Sequence, residues 1–247
     1  EYTEEEIRAA VEEAANTGTF VTAHAHGVEG IKRAVRAGVR SIEHASYLDD
    51  EGIALMVKHG TWLVADIYNG DYIAEIGKRD GWPAEVLRKN DETTGTQRAG
   101  FQKAVRAGVR IAYGTDSGVY PHGRNANQFR YMVRYGMTPL QAIRSATLDS
   151  ARLLGHEKDI GSIAVGRSAD LVAVAGDPLV DVRVLEDVRG VIQAGRVVRS
   201  VGLREPRTLT PDPSPGGRGE ISAADARSPS LAGRRWREAP DEGTESP

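Results

Sequence analysis

The heptapeptide Ala34-Val35-Arg36-Ala37-Gly38-Val39-Arg40 recurs unchanged as Ala104-Val105-Arg106-Ala107-Gly108-Val109-Arg110. In each copy an Ala/Val/Arg stretch of helical character meets a glycine and then a β-branched apolar residue. Glycine enters the left-handed backbone region without steric cost, so it closes a helix readily. Each copy therefore reads as the end of a helix, its cap and the start of a strand. Two equivalent helix-to-strand junctions predict a repeated parallel-strand α/β architecture, either a (β/α) barrel or a doubly wound sheet.

The flanking sequence carries the same alternation. Thr3 and Glu6 form a capping box ahead of the stripe Ile7, Ala10, Val11 and Ala14. Gly18 ends that helix, and residues 20–23 read as a short buried strand. Ile31, Ala34 and Val35 mark a second helix, followed by a strand over 39–43. A third helix follows Asp49-Asp50 and stops at Gly60, with a strand over 61–65. Residues 68–82, with Tyr68, Asn69, Tyr72 and Trp82, read as a long loop. Pro83 opens a helix to about Ala107, and a strand over 109–113 follows Gly108. Thr138-Pro139 is a cap with proline in the first turn, predicting one helix to about Leu154. The apolar runs 171–175 and 188–194 look like a small β-sheet rather than another βα unit.

Composition narrows the function classes. The 247 residues hold 32 Lys+Arg against 35 Asp+Glu, a net charge of −3, which argues against a nucleic-acid or anionic-membrane partner. No apolar run reaches the roughly 18 residues that span a bilayer. With no cysteine, disulfides, thiolate ligands and cysteine nucleophiles are all excluded. A soluble chain is expected, cytoplasmic by preference, with the periplasm or secretion left open because the sequence opens on Glu1 rather than Met. Residues 203–247 hold seven of the eleven prolines, seven arginines and eight acidic residues, and are expected to be a disordered tail.

Chemistry gathers where strands end. The first strand runs into His24-Ala25-His26-Gly27, the second into Glu43-His44, and the last into Gly114-Thr115-Asp116-Ser117. In a barrel of parallel strands these ends ring one mouth, where active sites sit. His24, His44 and Asp116 would then converge although His24 and Asp116 are 92 positions apart. Neutral imidazoles with a carboxylate suit Zn²⁺ or a similar divalent ion. His26, two residues past His24, shares its strand parity and can face a substrate. His122 and Arg124, on the loop after the last strand, and Tyr68, after the third, could bind a substrate carboxylate. His59 lies near a helix C-terminus, where the dipole explains it, and His156 needs no functional reading.

Taken together, His24-Ala25-His26-Gly27, Ser41-Ile42-Glu43-His44 and Gly114-Thr115-Asp116-Ser117-Gly118 resemble the amidohydrolase superfamily. The likeness is greatest to its prolidase-like dipeptidase and imidazolonepropionase-like branch. It continues through Pro121-His122-Gly123, Gly136-Met137-Thr138-Pro139 and Gly161-Ser162-Ile163 to Ala169-Asp170-Leu171-Val172 and Asp177-Pro178-Leu179. The resemblance implies strands five to eight of a TIM-type (β/α)8 barrel over 1–155 and part of a small β-sandwich over 156–202, with the tail beyond. It implies His24 and His44 as metal ligands after strands five and six, and Asp116 as the ligand and proton carrier after strand eight. The family's first-strand His-x-His pair and the fourth-strand lysine of its binuclear members have no counterpart here. The chain is accordingly expected to be a fragment or truncated product that is poorly active alone and prone to self-association, with a metal site of one or two ions in the complete enzyme.

The activity so implied is metal-assisted hydrolysis of an amide-type C–N bond, with a dipeptide or N-acyl amino acid as substrate. A cyclic amide of the imidazolone kind is the first alternative, and a catalytically inactive half-barrel serving as a pairing module is the second. A phosphate-binding barrel enzyme is disfavoured, because no glycine-rich loop opens a helix near the last strands.

Overall fold

A computed structural model describes residues 2–202; the tail expected over 203–247 lies outside the described residues. Helix α1 (Glu4–Asn16) starts at the capping box, with Thr3 Oγ1 accepting from the Glu6 amide and Glu6 returning to Thr3. Strand β1 (Thr22–Ala25) and helix α2 (Val28–Ala37) follow, and Gly38 ends the helix at φ 94°. Strand β2 (Ser41–His44) leads to α3 (Asp50–His59), whose N-cap Asp49 accepts from the Gly52 amide at 2.8 Å. Strand β3 (Trp62–Val64), then α4 (Asn69–Asp80) and α5 (Ala84–Ala107), bring the chain to Gly108, again left-handed at φ 78°. The repeated heptapeptide thus does one job twice. Helices α6 (Asn127–Arg134), α7 (Pro139–Ser145) and α8 (Leu148–Leu154) follow, and then β4 (Leu171–Val174), β5 (Val188–Gln193) and β6 (Arg196–Ser200).

Strands β1, β2 and β3 form a parallel sheet in that order, with Thr22, Ser41 and Trp62 level with one another. A parallel bridge between Leu63 and Ile111 adds a fourth extended segment, held by the Leu63 amide on the Arg110 carbonyl and the Ala112 amide on the Leu63 carbonyl. One face of this sheet packs on helices: Ile31 and Val35 of α2, Met56 of α3, and Phe101 and Ala104 of α5 are buried with Ile42 and Leu63. Crossover helices on one face are what parallel strands require. The alternating residues, including Thr22, His24, Ser41 and Glu43, belong to the other face. Strands β4, β5 and β6 form a separate antiparallel sheet.

Three sequence expectations are corrected. Residues 69–80 are helix α4, not loop. Both glycines of this helix sit at a close helix contact: a Cβ on Gly70 would lie 2.3 Å from Thr94 Oγ1, and one on Gly77 2.7 Å from Leu87 Cδ2. The helix expected from Thr138 to about Leu154 is broken at Thr147, with φ −125° and ψ −96°. There the Ser145 carbonyl accepts instead from the Ser150 hydroxyl and the Tyr113 amide. That same diversion explains why the strand expected over 109–113 contracts to the Ile111 bridge: the Tyr113 amide pairs with a helix end rather than a strand. Helix α6 and strand β6 had no sequence expectation.

Candidate metal-binding active site

The C-terminal ends of β1, β2, β3 and the Ile111 segment lie side by side, so the residue that each contributes meets the others. The rings of His24 and His44 are 4.5 Å apart edge to face, and His26 lies 4.6 Å from His24 and 4.9 Å from His44. Two trios have ligand atoms within 4.8 Å of one another: His24, His26 and His44, and His44, Asp66 and Asp116. They share His44. The expected set of His24, His44 and Asp116 straddles the two trios.

Asp66 was missed in the sequence. It follows β3 as His44 ends β2, and the signal was available: it is the first charged residue after the apolar run of the third strand. Its Oδ1 lies 3.0 Å from His44 Nδ1 and accepts from Gln97 Nε2 at 2.8 Å, while Oδ2 accepts from Asn69 Nδ2 at 2.7 Å. The side chains of His44 and Asp66 are each 12% exposed. Burial raises the Asp66 pKa, but the hydrogen bonds from His44, Asn69 and Gln97 outweigh it and hold the carboxyl below its ordinary value. The same contact with Asp66 lifts the His44 imidazole above its ordinary value, against the effect of burial. Burial pushes His26 down, assisted by the neighbouring imidazoles, and pushes Glu43 up despite a 2.6 Å bond from the Ser41 hydroxyl.

Asn69 Nδ2 also reaches Asp116 Oδ2 at 3.5 Å, and its buried Oδ1 has no partner among the described residues. Gln128, fully buried, donates to the carbonyls of Ala65 and Gly114 and accepts from the Tyr68 amide at 2.9 Å. It thereby ties together the segments that carry Asp66 and Asp116. The backbone turns sharply here: His44, Ala45 and Asp116 have φ of 69°, 50° and 47°.

The remaining expected residues flank this cluster. Tyr68 is 7% exposed and packs against Tyr72, Tyr120 and Tyr131, with ring centres 5.1 Å from Tyr120 and 5.2 Å from Tyr131. Burial raises its phenol, and the nearby Arg124 guanidinium opposes that shift. Arg124 and His122 are exposed, and His122 Nδ1 is 3.2 Å from the hydroxyl of Ser117, beside Asp116. His59 ends α3, and His156 is exposed beside Asp159. A cavity of about 1010 Å³ includes His59 and opens at the other end of the strands between Arg40, Trp62 and Arg110. It contains none of the clustered residues, and convergent titratable groups weigh more than volume in placing the chemistry.

A profile of the Amidohydrolase family matches residues 1–198. The chain belongs to the amidohydrolase family. Ochratoxinase of Aspergillus niger, one relative, is 34% identical over 209 residues, spanning 82% of this chain and 43% of its own. A solved Xaa-Pro dipeptidase with methionine in its active site matches at TM-score 0.77 and 44% identity, covering 81% of this chain and 50% of that one. A prolidase complexed with N-methylphosphonate-L-proline matches at 0.75 and 36%, with the same coverage. The chain thus spans about half the length of these amidohydrolases. Divalent metal binding is general in the family, and the donors fit it: imidazoles and carboxylates of four strand ends, with a buried orphan oxygen on Asn69 beside them. No helix among the described residues is long and apolar enough to cross a membrane.

Proposed function

We propose that this chain supplies strands five to eight of a (β/α)8 metal-dependent amidohydrolase that cleaves the amide C–N bond of a dipeptide or N-acyl amino acid. On this reading 1–155 is barrel and 156–202 sandwich. The observation that carries it is the convergence of His24, His44, Asp66 and Asp116 from four successive strand ends. The family resemblance to a Xaa-Pro dipeptidase and a prolidase favours the dipeptide class.

The side chains divide the work. His24 and His44 would hold a divalent ion, Zn²⁺ by donor type, with carboxylate help from the second trio. When bound, such an ion polarises the carbonyl and lowers the pKa of a water to about 7. Asp116 accepts the proton of the attacking water and hands it to the leaving amine, and the Asn69 amide steadies Asp116 for that exchange. Asp66 fixes the orientation of His44 through Nδ1. Arg124, with Tyr68 and His122 beside it, binds the substrate carboxylate at the rim.

The test is hydrolysis of Xaa-Pro dipeptides, N-acyl amino acids and an imidazolone by the 247-residue chain with zinc. It is run alone and with the first-to-fourth-strand half of a related amidohydrolase added as a second polypeptide. Turnover of the first two classes that Asp116→Asn abolishes supports the reading. Preference for the imidazolone, or no turnover under both conditions, overturns it.

A further inference from the structure

Each copy of the repeated heptapeptide ends in an arginine, Arg40 just before β2 and Arg110 just before the Ile111 bridge. Both lie at the N-terminal ends of the strands, away from the histidines, and both line the cavity of about 1010 Å³ there. Each guanidinium covers an aromatic ring at the start of the neighbouring strand. Arg40 lies 4.5 Å from the centre of the Phe20 ring, and Arg110 lies 5.9 Å from that of Trp62. A ring face attracts the cation and positions it without consuming its N–H groups. The donors stay available.

The cleft gathers more of the same charge. Arg144 of α7 and Arg152 of α8 also line it, and its one carboxylate, Asp149, is already paired with Arg152 at 3.0 Å. Arg40 Nη2 donates to the Arg152 carbonyl at 2.9 Å, which ties α8 to the start of β2. Arg40, Arg110 and Arg144 have no carboxylate partner among the described residues, and the buried Nε of Arg40 has no hydrogen-bond partner among them. A solvated surface arginine leaves all its N–H groups to water; this one does not. A buried guanidinium N–H without an acceptor costs free energy, and clustered like charges oppose folding. An anion in the cleft would relieve both.

We propose that this cleft binds a small multivalent oxyanion, held by the guanidiniums of Arg40, Arg110 and Arg144. Their planar forks match phosphate and carboxylate oxygens two at a time. Three unpaired cations require a ligand with two or more negative charges, since a single carboxylate would neutralise one of them. The volume suits a small molecule, for which sites run roughly 300–1,000 Å³. No glycine-rich loop is needed, because side chains rather than backbone amides supply the donors. The site is independent of the hydrolytic reading and lies at the opposite end of the strands from Asp116.

The test uses the metal-free 247-residue chain, so that no ion at the strand C-terminal ends can hold an anion. It is titrated calorimetrically with pyrophosphate and with citrate at constant ionic strength. At least one should bind at one per chain with a dissociation constant under about 1 mM and raise the melting temperature. Tighter binding of pyrophosphate assigns a phosphate-bearing ligand, and tighter binding of citrate a polycarboxylate. Arg40→Gln and Arg110→Gln should each weaken the better anion at least about tenfold. Arg144→Gln, at an exposed and unpaired position, should weaken it too and serves if either of the first two melts early. Arg106→Gln, at the first arginine of the second heptapeptide, and Arg124→Ala, beside the histidine cluster, should bind within about threefold of wild type. No saturable binding of either anion, binding untouched by the cleft variants, or an equal loss in Arg106→Gln or Arg124→Ala overturns the proposal.

Discussion

Gln128 shows how much a single interior amide can hold. Its side chain serves three backbone groups, the carbonyls of Ala65 and Gly114 and the amide of Tyr68. Gln128→Leu keeps the volume roughly constant and strands all three. At 1 kcal/mol or more for each orphaned group, the loss should be about 3 kcal/mol, read from urea unfolding. A loss under about 1 kcal/mol would mean the segments are held by something else. The sequence offered no sign of this role, because a glutamine on a short helix is normally solvated. It did single out His24, His44 and Asp116, since chemistry-bearing residues at strand ends stand out against apolar runs. Asp66 occupies the same kind of position, directly after the strand expected over 61–65, and was not singled out.

Between elements, small residues decide. Gly70 and Gly77 allow α4 to lie against α5, and composition records a glycine's freedom but not the neighbour that requires it. Gly70→Ala separates the two meanings. In an isolated helix the change would stabilise by about 1 kcal/mol; here the new methyl meets Thr94, and overpacking should destabilise by about 1–3 kcal/mol. Thr94→Ala should restore part of that loss in the double variant, a sign that thermal melting of the four proteins decides.

A second tie joins α2 to α3. Lys32, 6% exposed, reaches Asp49 at 2.8 Å and also pairs with Glu51, and these hydrogen bonds push its pKa up to about 12 from 10.5. Because the folded value is the raised one, the stabilisation is complete below about pH 10.5 and disappears as pH climbs through about 12. Wild type should therefore lose more stability than Lys32→Met across that window. Parallel pH dependences for the two proteins would assign the alkaline loss to other groups.

At the scale of the molecule, the parallel sheet has an unfinished side. Among the described residues β1 pairs only with β2, and unpaired strand edges invite pairing with other chains. Sedimentation velocity should show species heavier than 26.6 kDa, and a monodisperse monomer at micromolar concentration would count against an accessible edge. The α/β alternation behind this sheet was legible from the repeated heptapeptide alone, since capping glycines act locally. What the sequence could not show was how far each strand extends. The segment around Ile111 is short because Ser145 and Ser150, over thirty residues away, capture the Tyr113 amide, and no local propensity encodes a competitor so distant.

The left-handed backbone at His44 and Asp116 restricts which letters of the amino-acid alphabet those positions can accept. Side chains with a Cβ are strained there, and histidine and aspartate are among the few types that visit the region with any frequency. Two independent filters, one for donor chemistry and one for main-chain geometry, therefore admit nearly the same residues. Glutamate in place of Asp116 would pass the first filter and meet resistance at the second, carrying the same charge on a longer arm from a reluctant backbone. A designer seeking to vary this site would find the permitted vocabulary far smaller than ligand chemistry alone allows.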